Sequence, residues 1–429
     1  MPAAVAPQDA AAPPAWYGQA RPQFSGGNQV QLLCGGDELF PAMLAAFAQA
    51  QHEIWLATYI FHEDDTAQAL AQALAAAARR GVKVKVVVDG FGTHHCLSRV
   101  SAWLLPAGVE LVVFRPLERW WNWLQPGQLR RLHQKLCVVD GVLGFVGGIN
   151  IIDDRMDLNH GRTEQPRLDF AVSLRGPAVE PVAQTVRAMW TRAAMGHDWR
   201  DEVRSLARSA QPLRGARQLL QQLRILPPAA APLPGDEQPV RMAFLVRDNL
   251  RQRRAIERSY IEAIGQARQR VDLISPYFYP GRAFRRALVK AARRGVRVRL
   301  LLQGKADYRL AALAAQVLYD ELLAEGVEIH EYTAAFLHAK LCVVDEDWAT
   351  LGSSNIDPLS LLLNLEANVL VRDLGFSGEL SQRFEQALTV SRHVTVAPYR
   401  KSAWAVLRRG FVAWLAHWYL RMAGVSARY

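Results

Sequence analysis

The sequence predicts an α/β protein built as two pseudo-symmetric halves, each with a mixed, largely parallel sheet. Three observations carry this expectation. A helix-to-strand unit occurs twice, as AAAARRGVKVKVVVDG (75–90) and as VKAARRGVRVRLLLQG (289–304). A polar motif also recurs, as LHQKLCVVDGVLGFVGGIN (132–150) and as LHAKLCVVDEDWATLGSSN (337–355). Strand-like runs alternate with helical patterns in both halves, the ordering typical of sheets covered by helices.

Taken in order, residues 1–27 are rich in Ala and Pro and read as a flexible tail. They lack the charged start and apolar core of a signal peptide. The first half is expected over 28–200, with strand-like segments at 29–34, 53–60, 82–89, 109–114, 134–147 and 169–175. In each repeated unit the helix ends in basic residues, a glycine (Gly81, Gly295) stops it, and an alternating β-branched strand follows. Residues 201–239, rich in Arg, Gln and Pro, read as a linker. The second half follows over 240–395, with strands at 240–246, 271–278, 296–303, 327–332, 339–352 and 366–372. Residues 396–429 are expected to form an amphipathic helix. The stretch 402–422 places Trp404, Leu407, Phe411, Leu415, Trp418 and Met422 on one face. Arg408, Arg409 and Arg421 argue against spanning, so this helix lies at a membrane interface or docks on the core.

The halves differ in one place. Val109 to His133 is 24 positions, whereas Val327 to His338 is 11. The additional residues fall in 115–131 and include Trp120, Trp121 and Trp123. They are read as a second membrane contact or as a packed aromatic lid.

Composition narrows the partners. Half of the 429 residues are hydrophobic and about a fifth are charged, which argues against global disorder. The net charge of +11 favours an anionic partner: nucleic acid, anionic lipid or a phosphorylated substrate. The four cysteines are too sparse for a disulfide framework, and Cys137 and Cys342 sit in apolar runs that read as core. No uncharged apolar run is long enough to span a bilayer, so contact with a membrane is expected from the side. No metal-binding constellation is evident; the tandem His94-His95 reads as incidental surface.

The chemistry sits in the repeated motif: His133, Lys135, Asp140, Gly147, Gly148 and Asn150, then His338, Lys340, Asp345, Gly352, Ser353 and Asn355. On a strand, His and Lys two apart share a face, which sets an imidazole beside an ammonium. The Asn after the glycine turn can donate its amide to a phosphate oxygen. Two copies give two His, two Lys and two Asn around one anion. A neutral imidazole can attack phosphorus while a protonated one donates to the leaving oxygen. Asp140 and Asp345 belong to the motif's catalytic set, and are expected to serve it by fixing its geometry. Tyr59 and Tyr277, at strand ends, are read as substrate contacts or as core. The run LSLLL (359–363) is read as core or as the lining of an acyl groove.

This His-x-Lys motif with its downstream Asp, Gly and Asn resembles the signature of the phospholipase D superfamily, over residues 28–390. The pieces YIFHEDD, GVLGFVGGIN, SPYF and GSSNIDPLSLLLNLEANV are similar to bacterial cardiolipin synthases of the shorter, B type. The resemblance implies two α/β/α sandwich repeats facing each other across a pseudo-twofold, with both motifs in one cleft. It implies His133 as nucleophile and His338 as acid and base. Lys135, Lys340, Asn150, Asn355 and Ser353 would hold the phosphate. Asp169 and Glu366, on matched strands after each motif, resemble His-orienting acids; Asp169 is assigned to His133 and Glu366 to His338. The implied reaction moves a phosphatidyl group between two phosphatidylglycerol molecules, without a cofactor or obligate protein partner, at the cytoplasmic face of the inner membrane. A hydrolase or nuclease with the same histidines, and an inactive membrane scaffold, are the competing readings. The Trp-rich insert and amphipathic tail speak against nucleic acid.

Overall fold

The computed structural model describes residues 22–116, 130–158, 161–208, 240–248, 252–304, 318–357, 360–361 and 364–395. The first half forms β1 (Ser25–Cys34), α1 (Gly36–Gln49), β2 (Glu53–Thr58), α2 (Asp65–Arg79), β3 (Lys83–Asp89), α3 (Leu97–Leu104), β4 (Glu110–Phe114), β5 (Leu136–Val139) and β6 (Leu143–Gly147). It continues with β7 (Met156–Asp157), β8 (Gly161–Arg162), β9 (Phe170–Arg175) and α4 (Val179–Arg208). The second half forms β10 (Val240–Arg247), α5 (Ala255–Gln266), β11 (Arg270–Ser275), α6 (Arg282–Arg293), β12 (Arg297–Gln303), α7 (Tyr319–Ala324) and β13 (Glu328–Tyr332). It ends with β14 (Leu341–Val344), β15 (Trp348–Gly352), β16 (Glu366–Arg372), α8 (Leu374–Thr389) and β17 (Ser391–His393).

Local chemistry explains the repeat. Asp64 starts α2 by accepting a hydrogen bond from the Ala67 N–H (2.9 Å), and Asp373 starts α8 through Phe376 N–H (2.7 Å). Both repeated helices stop just before a glycine in the left-handed region, Gly81 (φ 93°) and Gly295 (φ 86°). The chain then enters β3 or β12, most of whose residues are buried.

Strands β2-β3-β4 are parallel, as are β11-β12-β13. The remaining ladders of each half (β2-β5-β6-β9-β1, and β11-β14-β15-β16-β10) are antiparallel. The parallel share is therefore smaller than the alternating pattern predicts. The reason is local: 134–147 and 339–352, each read as one strand, fold back as hairpins. Asp140 (φ 50°), Gly141 (φ 68°) and Asp345 (φ 53°) take the left-handed conformation that tight hairpin turns require.

β1 and β10 pair across the halves and fuse all strands but the β7–β8 pair into one 15-stranded sheet, β17-β13-β12-β11-β14-β15-β16-β10-β1-β9-β6-β5-β2-β3-β4. Read outward from this seam, both halves repeat the same strand succession. Each half buries one sheet face under its own helices, α1–α3 or α5–α7. The other face packs with α4 and α8 into a shared core that joins Trp55, Val182 and Val186 to Phe244, Ile274 and Phe384. The α/β/α layering is the one the resemblance implies. Helix α4 continues to Arg208, into residues whose composition reads as linker. Trp120, Trp121, Trp123, Trp404, Phe411 and Trp418 lie outside the described residues. Among the described residues no helix is long and apolar enough to cross a membrane.

Candidate active site

The repeated motifs meet at the seam. Two parallel bridges, Leu132 with Leu365 and Leu168 with Leu337, cross between the halves. His133 N–H donates to Leu365 O (3.0 Å), and Leu365 N–H to Arg131 O (2.8 Å). Leu168 N–H donates to Phe336 O (2.9 Å), and His338 N–H to Leu168 O (2.9 Å). Each motif histidine therefore starts its strand beside the acid of the opposite half. His133 Nδ1 lies 3.0 Å from Glu366 Oε2, and His338 Nδ1 lies 2.6 Å from Asp169 Oδ2. This corrects the assignment made from sequence order, which paired Asp169 with His133 and Glu366 with His338. Order along the chain places each acid after its own motif, but the bridges cross the strand starts over.

Lys135 and Lys340 are buried, and each ammonium donates to the carbonyl of its motif histidine, His133 O (2.8 Å) and His338 O. Burial pushes Lys135 down to about 7 and Lys340 to about 8, with Lys340 further lowering Lys135, Arg167 further lowering Lys340, and the buried acids opposing. Burial also lowers both imidazoles. His133 is held up in part by Glu366, whereas His338 falls well below the usual range, with Lys340 and Arg167 adding to the effect.

The two acids differ. Burial would raise Glu366, but His133, Lys135 and the Ser353 hydroxyl hold it below the usual range. Ser353 Oγ donates to Glu366 Oε2 at 2.5 Å. Ser353, expected on the phosphate, is thus engaged behind the histidine. Asp169 is raised to about 6, chiefly by burial. Gly148 stands where the other half has Ser353, and a Cβ there would come within 2.5 Å of Asp169 Oδ1. A short acid over a glycine replaces a long acid over a serine.

Asn150 accepts the Ile60 N–H through Oδ1 (3.3 Å), which directs its amide N–H groups elsewhere. Asn355 Oδ1 is buried without a hydrogen bond among the described residues. Asp140 and Asp345 sit apart from the imidazoles, at the hairpin turns. Asp140 accepts N–H groups of Gln51, His52 and Glu53, and Asp345 those of Arg268, Gln269 and Arg270. Both pin a turn to the start of β2 or β11. Tyr59 sets its ring against His133 (centroids 5.0 Å), with the Lys135 ammonium 5.4 Å from the same ring. Tyr277 is half-buried, His94 and His95 are exposed, and Cys137 and Cys342 are core.

A family model for the cardiolipin synthase phospholipase-D-like domain matches residues 43–162 and again 260–388. The chain belongs to the phospholipase-D-like cardiolipin synthase family. Cardiolipin synthase B of Escherichia coli (strain K12) is 37% identical over 354 residues, covering 82% of this chain and 79% of that protein. Cardiolipin synthase A of Pseudomonas putida (strain KT2440) is 32% identical over 372 residues, covering 86% and 70%. Among solved structures, phosphatidylserine synthase of Haemophilus influenzae superposes with a TM-score of 0.65, covering 94% of this chain and 98% of that one, at 14% identity. That likeness speaks to fold alone.

A cardiolipin synthase of this family is a phosphatidyltransferase, and the geometry suits that chemistry. Two imidazoles, each backed by a buried carboxylate, share a cleft with two ammonium groups that form no ion pair within 4 Å among the described residues. An anion entering between them relieves the mutual repulsion of Lys135 and Lys340. Sequence reasoning missed two supports of this cleft. Gln134 Nε2 donates to the Glu366 carbonyl (3.1 Å), tying the first motif to the second half's acid strand. Arg247 stands opposite Glu366 in the β10–β16 register and donates to Asn364 O. Neither has a counterpart in the other half, where Ala339 and Gly35 occupy the matched places, so repetition carried no signal for them.

Proposed function

We propose that this cardiolipin synthase moves a phosphatidyl group from one phosphatidylglycerol to another through a phosphohistidine. The observation that carries the reading is the crosswise pairing of His133 with Glu366 and His338 with Asp169 around two buried lysines. His133 Nε2 attacks phosphorus, the bond to glycerol breaks, and His338 delivers a proton to the departing oxygen. The ionised Glu366 stabilises the positive charge that develops on His133 as the P–N bond forms. The hydrogen bond to Asp169 holds the His338 ring in place to deliver and take that proton. The glycerol hydroxyl of a second phosphatidylglycerol then gives its proton to His338 and attacks phosphorus, which releases His133 and forms cardiolipin. Lys135, Lys340, Asn150 and Asn355 hold the non-bridging oxygens. Breaking and making similar phosphodiesters is nearly isoenergetic, so the cycle needs no nucleotide. The enzyme is placed peripherally on the cytoplasmic face of the inner membrane, with Trp120, Trp121, Trp123, Trp404, Phe411 and Trp418 as its membrane contacts.

The test is lipid analysis after incubating purified protein with phosphatidylglycerol vesicles, followed by mass spectrometry of acid-quenched protein. Cardiolipin with free glycerol, and a phosphatidyl adduct on His133 that accumulates in His338→Ala, are expected. Phosphatidic acid as sole product reduces the protein to a hydrolase, and an adduct on His338 exchanges the two histidine roles.

A further inference from the structure

The pseudo-twofold is broken in charge beside His338. Arg167 precedes Asp169 by two residues; on an extended chain the two share a face, and Asp169 is the residue that contacts His338. The matched place before Glu366 is the neutral Asn364. The guanidinium of Arg167 is nearly covered, with 12% of its side chain exposed, and it is anchored from behind. Nη2 donates to Met156 O (2.8 Å) and lies 3.9 Å from Asp157 Oδ2. Its Nε and Nη1 have no protein partner among the described residues. Its charge reaches inward: Arg167 lowers both His338 and Lys340 and opposes the rise of Asp169. A fixed guanidinium fork two residues before Asp169, where the other half has the neutral Asn364, suits one further anion.

Transfer between two phospholipids requires such a place. The donor phosphate fills the space between the imidazoles. The incoming acceptor approaches from the side of His338 and carries its own phosphate one glycerol away. We propose that Arg167 binds the phosphate of the acceptor phospholipid and so decides between transfer and hydrolysis. This rests on the transferase reading above. Water lacks a phosphate and receives no help from Arg167. An acceptor phosphate bound at Arg167 also neutralises a cation that weakens His338 as a base, so the base strengthens when the correct acceptor is present. Proton and phosphorus balance are unchanged: the acceptor hydroxyl gives its proton to His338 and its oxygen to phosphorus, and the P–N bond to His133 breaks.

The experiment compares wild type, Arg167→Gln and Arg167→Lys on phosphatidylglycerol vesicles, reading cardiolipin and phosphatidic acid together. In Arg167→Gln the ratio of cardiolipin to phosphatidic acid is expected to fall at least tenfold. Arg167→Lys keeps the charge without the fork and is expected to recover part of that ratio, with a raised KM for the acceptor. If both products fall together at constant ratio, Arg167 serves the donor step or the fold and the acceptor site is refuted. Should Arg167→Gln prove insoluble, an unchanged acceptor KM and ratio in Arg167→Lys refutes it equally. A wild-type protein that makes phosphatidic acid and no cardiolipin removes the transferase reading, and the acceptor site with it.

Discussion

Replacing Glu366 by Gln tests the crosswise site most directly, because the change is nearly isosteric and removes one charge. In the native cleft Glu366 Oε2 accepts from His133 Nδ1 at 3.0 Å and from Ser353 Oγ at 2.5 Å. Hydrogen bonds to a charged group contribute about 1.5–3 kcal/mol each and neutral ones about 0.5–1.5, so the substitution forfeits about 1–2 kcal/mol per bond. Two bonds give about 2–4 kcal/mol, felt most where His133 becomes positive. At about 1.4 kcal/mol per factor of ten, turnover should fall about 30- to 1,000-fold. The accompanying signature is spectroscopic. Glu366 raises the His133 pKa, so its loss should lower that pKa further, while the ring of His338 is little affected. Ring nitrogen NMR, with the two histidines assigned through His133→Gln and His338→Gln, reads this directly. Asp169→Asn should perturb the His338 ring instead. If Glu366→Gln moves the His338 signals and leaves those of His133 in place, each acid serves its own half and the crosswise pairing is wrong.

Three further outcomes follow from the same contacts. Asp140→Ala strips the acceptor from the N–H groups of Gln51, His52 and Glu53 and puts alanine at a positive φ. Stability should drop by about 2–4 kcal/mol in denaturant unfolding, with turnover per folded molecule nearly unchanged; a large loss of turnover in folded protein would make Asp140 catalytic after all. Ser353→Ala removes one donor from Glu366 and should slow turnover about tenfold, whereas Gly148→Ala drives a Cβ to 2.5 Å from Asp169 Oδ1 and should cost more; equal rates for both variants would refute the different support of the two acids. Tungstate, a phosphate mimic, should raise Tm at about pH 6.5 and progressively less above about pH 8. The sign follows from Lys135 (about 7) and Lys340 (about 8): in the empty cleft both are depressed, an anion favours their protonated forms, and that stabilisation fades as the solution removes the protons. A tungstate effect that grows with pH would contradict it.

The repeat, the two halves and the His-Lys pairs were legible because duplication makes chemistry visible twice: nine identical residues recur at one spacing, His133 to Asn150 and His338 to Asn355. The hairpin turns were not, since LCVVDGVLGFVG reads as one apolar run until Asp140 and Gly141 are seen at positive φ. The pairing of acids was misread for a different reason. Nothing in the order His133, Asp169, His338, Glu366 reports that Leu132 bridges Leu365 and Leu168 bridges Leu337. Contacts between halves are set by the β1–β10 seam, a tertiary fact without a local pattern. The departures from symmetry were visible as letters and silent as function. Ser353 against Gly148 reflects the different lengths of Glu366 and Asp169. Arg167 against Asn364 lies outside the motif, where repetition carries no signal.

Exchange of acids between halves has a consequence for how the site can fail. A half with His133, Lys135 and Asn150 but without β16 has an imidazole lacking its carboxylate, and the converse holds for His338 without β9. Neither half contains a complete acid–base unit, so the site exists only while β1 and β10 stay paired and the two bridges hold. Loosening the seam separates both histidines from both acids at once, and the two lysines, depressed chiefly by burial, return toward ordinary values. The catalytic set and the closed interface are thus one cooperative unit. Damage to the seam should abolish attack and proton delivery together, whereas damage to Glu366 or Asp169 alone weakens one of them.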